Sequence, residues 1–257
     1  IKKNFDYNKL DGFFSIIRIS KNGKLLNCAR DPFGVKPLFY YKRKKFITIC
    51  SEPIVIKKIF NLKINSNALR EYSLFRAPIF SKSFFKNIKI VEPGNCLVKG
   101  VHFNLLEEFL LKKNKKKNLD LVLKRNMNKR ILSDAKIGLL LSGGIDSNII
   151  RNLIPKTDYF CGGFKSDFDY QYLIKEKLKV NFVNFKNSTF VNRLKKLINL
   201  RGEPLSVPNE VVLSLLAKEA KKRKIKVLIS GEGADEFFGG YDRIFNWAIK
   251  EKFTIEK

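Results

Sequence analysis

Histidine, methionine and tryptophan each occur once in the 257 residues, and there are four cysteines. With His102 as the lone histidine, few zinc ligands are available. Cys28, Cys50, Cys96 and Cys161 lie far apart and form no CxxC pair, so zinc-site spacing is absent. The expectation is four reduced, mostly buried thiols in a cytoplasmic protein. No apolar run approaches the roughly 20 residues of a membrane-spanning helix, so none is expected. The first residues lack the layout of a signal peptide. The chain begins at Ile1 and not at Met, which implies processing, trimming or truncation.

Acidic charge is scarce as well. Lys and Arg number 52 against 24 Asp and Glu, a formal charge of +28. Such a field attracts polyanions. The excess is mostly lysine, accompanied by abundant Asn, Ile and Phe, the mixture an AT-rich coding sequence produces. Aromatics do not interleave with the basic runs, as they do in single-strand binders. Nucleic acid is therefore not expected as a partner, and Lys112–Lys117 reads as a solvated linker.

The first hundred residues read as short strands and turns. Phe13–Ile19 and Leu25–Ala29 flank Asn22-Gly23, a strong hairpin signal. Pro37–Tyr41 and Phe46–Cys50 form a second strand pair. Ser51 can cap a short helix running to Ile59, with Pro53 near its start. Ser66–Phe75 is a helix. Ile88–Val91 and Asn95–Lys99 read as a hairpin around Glu92-Pro93-Gly94. This is an α+β region with mainly antiparallel strands. A lysine-rich stretch at 104–118 marks a domain boundary, and a helix over Leu119–Leu132 follows.

From Asp134 the rhythm changes. Ile137–Leu141, Thr157–Phe164, Val180–Phe185 and Ile225–Ile229 are strands with near-continuous apolar character. Helices over Asp169–Leu178, near 188–200 and near 208–224 alternate with them. This implies a doubly wound parallel sheet, whose ligands sit at the carboxyl ends of the strands.

Two Gly-rich turns fall at those ends. In Ser142-Gly143-Gly144-Ile145-Asp146-Ser147, two glycines allow a tight turn and close approach to a ligand. Backbone N–H groups and the start of a helix form an anion nest. Ser142 and Ser147 add hydroxyls. Asp146 would repel bare phosphate and makes sense with a Mg²⁺ between them. The Walker pattern and GxGxxG are both absent. The second turn, Ser230-Gly231-Glu232-Gly233-Ala234-Asp235-Glu236, gathers three acids. Asp235 could share Mg²⁺ with Asp146, and Glu232 could position or deprotonate an attacking amine.

Ser142–Ser147 resembles the PP-loop of ATP pyrophosphatases, which cleave ATP between the α and β phosphates. Taken with Leu228–Tyr241, it is similar to the synthetase domain of glutamine-dependent asparagine synthetases. Asp11–Phe14, Arg30–Tyr40, Ser51-Glu52 and Glu203-Pro204 also match that family. The resemblance implies a PP-loop α/β domain over 119–257. Before it would lie an incomplete α+β N-terminal-nucleophile glutaminase domain over 1–104 and a linker at 105–118. It implies that Leu140, Gly162, Ser230 and Gly231 contact ATP, and that Ser142, Gly143, Gly144 and Ser147 hold pyrophosphate. Asp146 and Asp235 would bind Mg²⁺, Glu232 would support formation or amination of an aspartyl-adenylate, and Asp11 would bind the α-amino group of glutamine. Arg30–Tyr40 is expected to be scaffold and not catalytic.

The substrates implied are MgATP, aspartate, and glutamine or ammonia. Other readings are the same chemistry on another carboxylate such as a sugar acid, a PP-loop tRNA-modifying ligase, or a non-catalytic fragment. The chain departs from the family in three ways. Position 1 is Ile where the family has a nucleophilic Cys, little sequence follows Tyr241, and Phe168-Asp169-Tyr170 replaces the usual Phe-Asp-Glu. The expectation is a fragment, a decayed gene product or one piece of a split enzyme, without glutaminase activity, and served by a companion chain or a homodimer.

Overall fold

A computed structural model describes residues 5–44, 46–98, 100–101 and 118–251. His102 and the proposed linker lie outside them, apart from Asn118. The chain divides into two compact units, Ile1–Lys116 with Lys195–Val207, and Lys117–Leu194 with Pro208–Lys257. Chain order alone would place Lys195–Val207 with the second unit; compactness groups it with the first.

The strands of the first unit pair antiparallel throughout. One sheet runs β1 (Ser15–Ile19), β2 (Leu25–Arg30), β6 (Asn95–Cys96), β7 (Gly100–Val101). The β1–β2 hairpin turns where Asn22-Gly23 predicts it, with Gly23 at φ 78°. The second sheet runs β4 (Phe46–Cys50), β3 (Phe39–Arg43), β5 (Ile88–Ile90). Cys28 of the first sheet and Leu97, just past β6, meet Tyr40 and Ile49 of the second sheet and Leu38 and Val91, which flank its strands, in one apolar cluster. On the far face of the second sheet, Phe39 and Tyr41 pack with Ile56, Phe85 and Phe60.

Two local expectations need correction. The predicted 88–99 hairpin does not form: β5 pairs with β3 and β6 with β2, so Glu92-Pro93-Gly94 carries the chain from one sheet to the other. A tight turn reverses the chain without dictating that its arms pair with each other. Helix α1 (Pro53–Phe60) has Glu52 at its N-cap, not Ser51, and no side-chain cap bond; Pro53 does open the helix. Helix α2 (Ser66–Phe75) begins as expected, with Asn65 Oδ1 accepting from the Asn67 N–H at 3.2 Å.

The Arg30–Pro37 segment is held by buried charge. Asp31 is fully buried, and its carboxylate accepts from the N–H groups of Phe33, Val35 and Lys36 at 3.2, 3.0 and 3.0 Å. Arg30 donates to the carbonyls of Lys36, Val91 and Gly34. Gly34 sits at φ 64°, and a Cβ there would lie 2.8 Å from Pro93 and 2.9 Å from the Arg30 guanidinium. These bonds clip the turn and the inter-sheet crossover together.

In the second unit, helix α3 (Leu119–Ile131) starts at Asn118, whose Oδ1 accepts from the Leu121 N–H at 3.3 Å. The sheet consists of β8 (Ile137–Leu140), β9 (Asp158–Gly163), β10 (Val180–Asn184) and β11 (Val227–Ile229). Their order is β10-β9-β8-β11, all parallel. The chain steps outward from β8 to β10, then returns so that β11 lies on the other side of β8. That reversal is the switch point at which open α/β sheets bind ligands. Helices α4 (Ile145–Leu153), α5 (Phe168–Lys175), α6 (Asn187–Arg201), α7 (Asn209–Lys222), α8 (Ala234–Phe238) and α9 (Asp242–Lys250) follow in chain order. Leu139, Leu141, Cys161 and Leu173 build a core on one face of the sheet, joined by Met127 and Ile131 of α3 and Ile150 of α4. Phe160, Leu216, Ala220 and Ile225 build it on the other, against α7. At the sheet centre Gly138 has no room for a side chain, since a Cβ would lie 2.8 Å from the Phe160 ring and 3.1 Å from Leu228.

Asp31→Ala should remove the acceptor of three part-buried N–H groups at a cost of about 2–3 kcal/mol. A denaturant midpoint that falls for Asp31→Ala, and falls less for Asp31→Asn, is the expected outcome.

Candidate active site

Register places the two Gly-rich turns side by side. Ile229 lies opposite Leu139, so β8 and β11 end at nearly the same level and their following loops leave the same edge. The turns touch: a Cβ on Gly231 would lie 2.9 Å from Asp146 Cβ and 3.2 Å from the Ser147 nitrogen. Only glycine at 231 permits this approach.

The first loop is sewn to itself. Ser142 N–H donates to Ser147 Oγ at 3.2 Å, and the two hydroxyls lie 3.0 Å apart. Gly144 N–H donates to Ser142 Oγ at 3.1 Å. Asn148 Nδ2 donates to the carbonyls of Gly144 and Ser142 at 2.9 and 3.3 Å. Gly144 is the N-cap of α4 and offers no side chain, so the first turn of the helix faces outward without a capping group. The second loop turns at Gly233, φ 92°, into the five-residue α8, which ends at Gly239, φ 81°.

Between the loops is a cavity of about 290 Å³. Its lining includes Leu140, Ser142, Gly144, Asp146, Ser147, Gly162, Ser230, Gly231, Glu232 and Asp235. The structure therefore gathers the sequence-predicted site residues, with two exceptions. Gly143 is not in the lining, and its N–H donates to Asp169 Oδ1 at 2.8 Å. Asp11 belongs to the other unit. Gly162 has a packing reason of its own, because a Cβ there would lie 3.0 Å from Val212 and 3.1 Å from Leu216.

Three features were missed from the sequence. Leu213 and Leu216, one helical turn apart on α7, form an apolar wall. Cys161 lines the cavity from β9; burial, then the nearby charges of Asp169 and Asp167, push its thiol up to about 11. Tyr241 donates to Glu236 Oε1 at 2.7 Å, and that bond, with the charges of Asp235 and Glu232 beyond it, raises the phenol above its ordinary range. The spacing of Leu213 and Leu216 was a visible signal; the other contacts are tertiary.

The electrostatics are one-sided. Asp146, Asp169, Glu232, Asp235 and Glu236 line the cavity, and among the described residues no Lys or Arg does. Asp169 is engaged by Gly143 and Glu236 by Tyr241. Among the described residues, no hydrogen bond or ion pair reaches the carboxylates of Asp146, Glu232 or Asp235. Carboxylates that line one cavity without counter-charge leave a cation free to enter between them and an anionic ligand. Among the described residues no three His, Cys, Asp or Glu side chains form a closed metal cage. Carboxylate oxygens are the hard donors that a divalent cation such as Mg²⁺ accepts.

Comparison with known proteins agrees with this layout. Residues 118–255 match the family model described as asparagine synthase, and residues 5–106 match the one described as a glutamine amidotransferase domain. Glutamine-hydrolyzing asparagine synthetase 1 of Bacillus subtilis is 30% identical over 91% of this chain and 40% of its own length. A putative glutamine-hydrolyzing asparagine synthetase of Methanocaldococcus jannaschii is 28% identical over 91% of this chain and 46% of its own length. Asparagine synthetase of Cricetulus griseus is 25% identical over 90% and 46% respectively. The chain thus spans less than half the length of these relatives. No helix among the described residues is long and apolar enough to cross a membrane. With two adjoining Gly-rich loops at the switch point of a parallel sheet and a family match over more than half its length, the chain belongs to the asparagine synthase family.

Proposed function

We propose that the second unit is an ATP-dependent ligase site that adenylates the side-chain carboxylate of aspartate and transfers ammonia to it. The observation that carries this reading is the set of three unpartnered carboxylates, Asp146 of the Ser/Gly loop with Glu232 and Asp235 of the loop beside it, in a cavity without Lys or Arg among the described residues. A triphosphate meeting five carboxylates is repelled unless divalent cations come with it. Asp146 and Asp235 would hold Mg²⁺, which supplies charge neutralisation of the phosphates and of the leaving pyrophosphate.

The remaining roles fall to residues of this chain. Ser142, Gly143, Gly144 and Ser147, with the open start of α4, hold the β and γ phosphates. Leu140, Gly162, Ser230 and Gly231, backed by Leu213 and Leu216, hold the adenosine end. The aspartate side-chain oxygen attacks the α phosphorus, the bond to the β phosphate breaks, and pyrophosphate leaves. Ammonia then attacks the acyl carbon and the carbon–oxygen bond to AMP breaks. Glu232 receives the proton that the nitrogen sheds. The amidotransferase match over residues 5–106 supports glutamine as the nitrogen source, with Asp11 holding its α-amino group.

Pyrophosphate release measured with ATP, Mg²⁺, aspartate and ammonia should disappear in Asp146→Ala; unchanged release would remove the assignment. Gly231→Ala should drive its methyl into the Asp146 loop and reduce release by about tenfold or more at unchanged fold, as judged by circular dichroism. ATP affinity measured by calorimetry should fall by about tenfold or more when EDTA removes Mg²⁺, because the acids then face bare phosphate.

A further inference from the structure

The backbone N–H groups of the phosphate loop are satisfied in two different ways. Ser142 and Gly144 donate to hydroxyls of the loop itself, at 3.2 and 3.1 Å. Gly143 donates to a carboxylate from outside it, Asp169 Oδ1, at 2.8 Å. Asp169 stands in the first turn of α5, 26 residues further along the chain. The space that a Gly143 side chain would fill is walled by Phe168 at 3.1 Å, Asp169 at 3.2 Å and Tyr172 at 3.3 Å. The start of α5 therefore presses directly on the loop, and the Asp169 side chain also lines the cavity.

A carboxylate oxygen at this distance has the charge and lone-pair geometry of a phosphate oxygen. Hydroxyls within a loop turn with it when a ligand arrives; a carboxylate from another helix has to leave, because it brings the same sign of charge as the ligand. Among the described residues no cation pairs with Asp169. Its charge is balanced only by the loop donor and by the start of its own helix.

We propose that Asp169 is an internal competitor for the phosphate site, occupying the Gly143 N–H until a polyphosphate displaces it and reclaiming it as pyrophosphate departs. The proposal rests on the assignment of Ser142–Ser147 to pyrophosphate. Binding becomes an exchange of one anion for another on one donor, so the N–H is never left bare. A protein whose site is filled by its own side chain binds more weakly by the fraction of time the site is open. Pyrophosphate is thereby kept from lingering as a tightly held product.

The test is calorimetric titration with inorganic pyrophosphate and Mg²⁺ of the whole chain and of Asp169→Asn, Asp169→Ala and Asp146→Ala. Competition predicts tighter binding in both Asp169 variants, by about tenfold in Asp169→Ala, and loss of binding in Asp146→Ala. A merely supporting role predicts the reverse, looser binding in Asp169→Ala with rescue by Asp169→Asn. Equal or looser binding in both Asp169 variants, with the unmodified chain binding normally, overturns the proposal and leaves the loop assignment standing. Absence of pyrophosphate binding in every variant overturns both.

Discussion

Parallel pairing of β11 with β8 is the constraint on which the second unit depends. Strands β8 to β10 progress in one direction across the sheet, and only the return of the chain to the free edge of β8 brings the second Gly-rich loop beside the first. Parallel strands send their carboxyl ends to one edge, so two loops separated by most of the unit's sequence become neighbours without either having to reach. The glycines then act at contact distance. Gly138 lets β8 lie between Phe160 and Leu228, and Gly231 lets the backbone of one loop meet the other. Larger residues at either position would press these neighbours apart.

Much of this unit was legible in the sequence because each strand is a short apolar run and each loop follows one directly. The first unit was harder. Its strands and the 66–75 helix were located, yet Glu92-Pro93-Gly94 was read as joining two arms of a hairpin. Turn chemistry is local; the choice of partner strand depends on Phe39 and Tyr41 waiting for β5 in one sheet and Ala29 for β6 in the other. The Ser51 cap failed in a related way, since Pro53 sets the helix start and leaves Glu52 as the preceding residue.

The cavity divides along the same line. The residues facing it from the two loops could be named from motif and spacing alone. Asp169 could not be given a role, because its partner is a backbone N–H on another element. Cys161 and Tyr241 likewise acquire their surroundings only when β9 and the segment after α8 are folded against the loops. A motif reports the groups offered to a ligand; it is silent about the groups that compete with the ligand or tune its neighbours.

The contrast between a +28 chain and its acid-lined cavity has a further consequence. Far from the surface, a polyanion senses the summed positive field and is drawn inward, a long-range pull that salt screens within roughly 10 Å. Inside, it meets the opposite sign over a few ångströms, where screening is weak. The two ranges sort solutes by different properties: total charge governs approach, and local charge neutralisation governs entry. A bare polyanion is attracted at long range and opposed at the cavity, whereas one that carries a divalent cation keeps negative charge enough to be attracted and meets less opposition within.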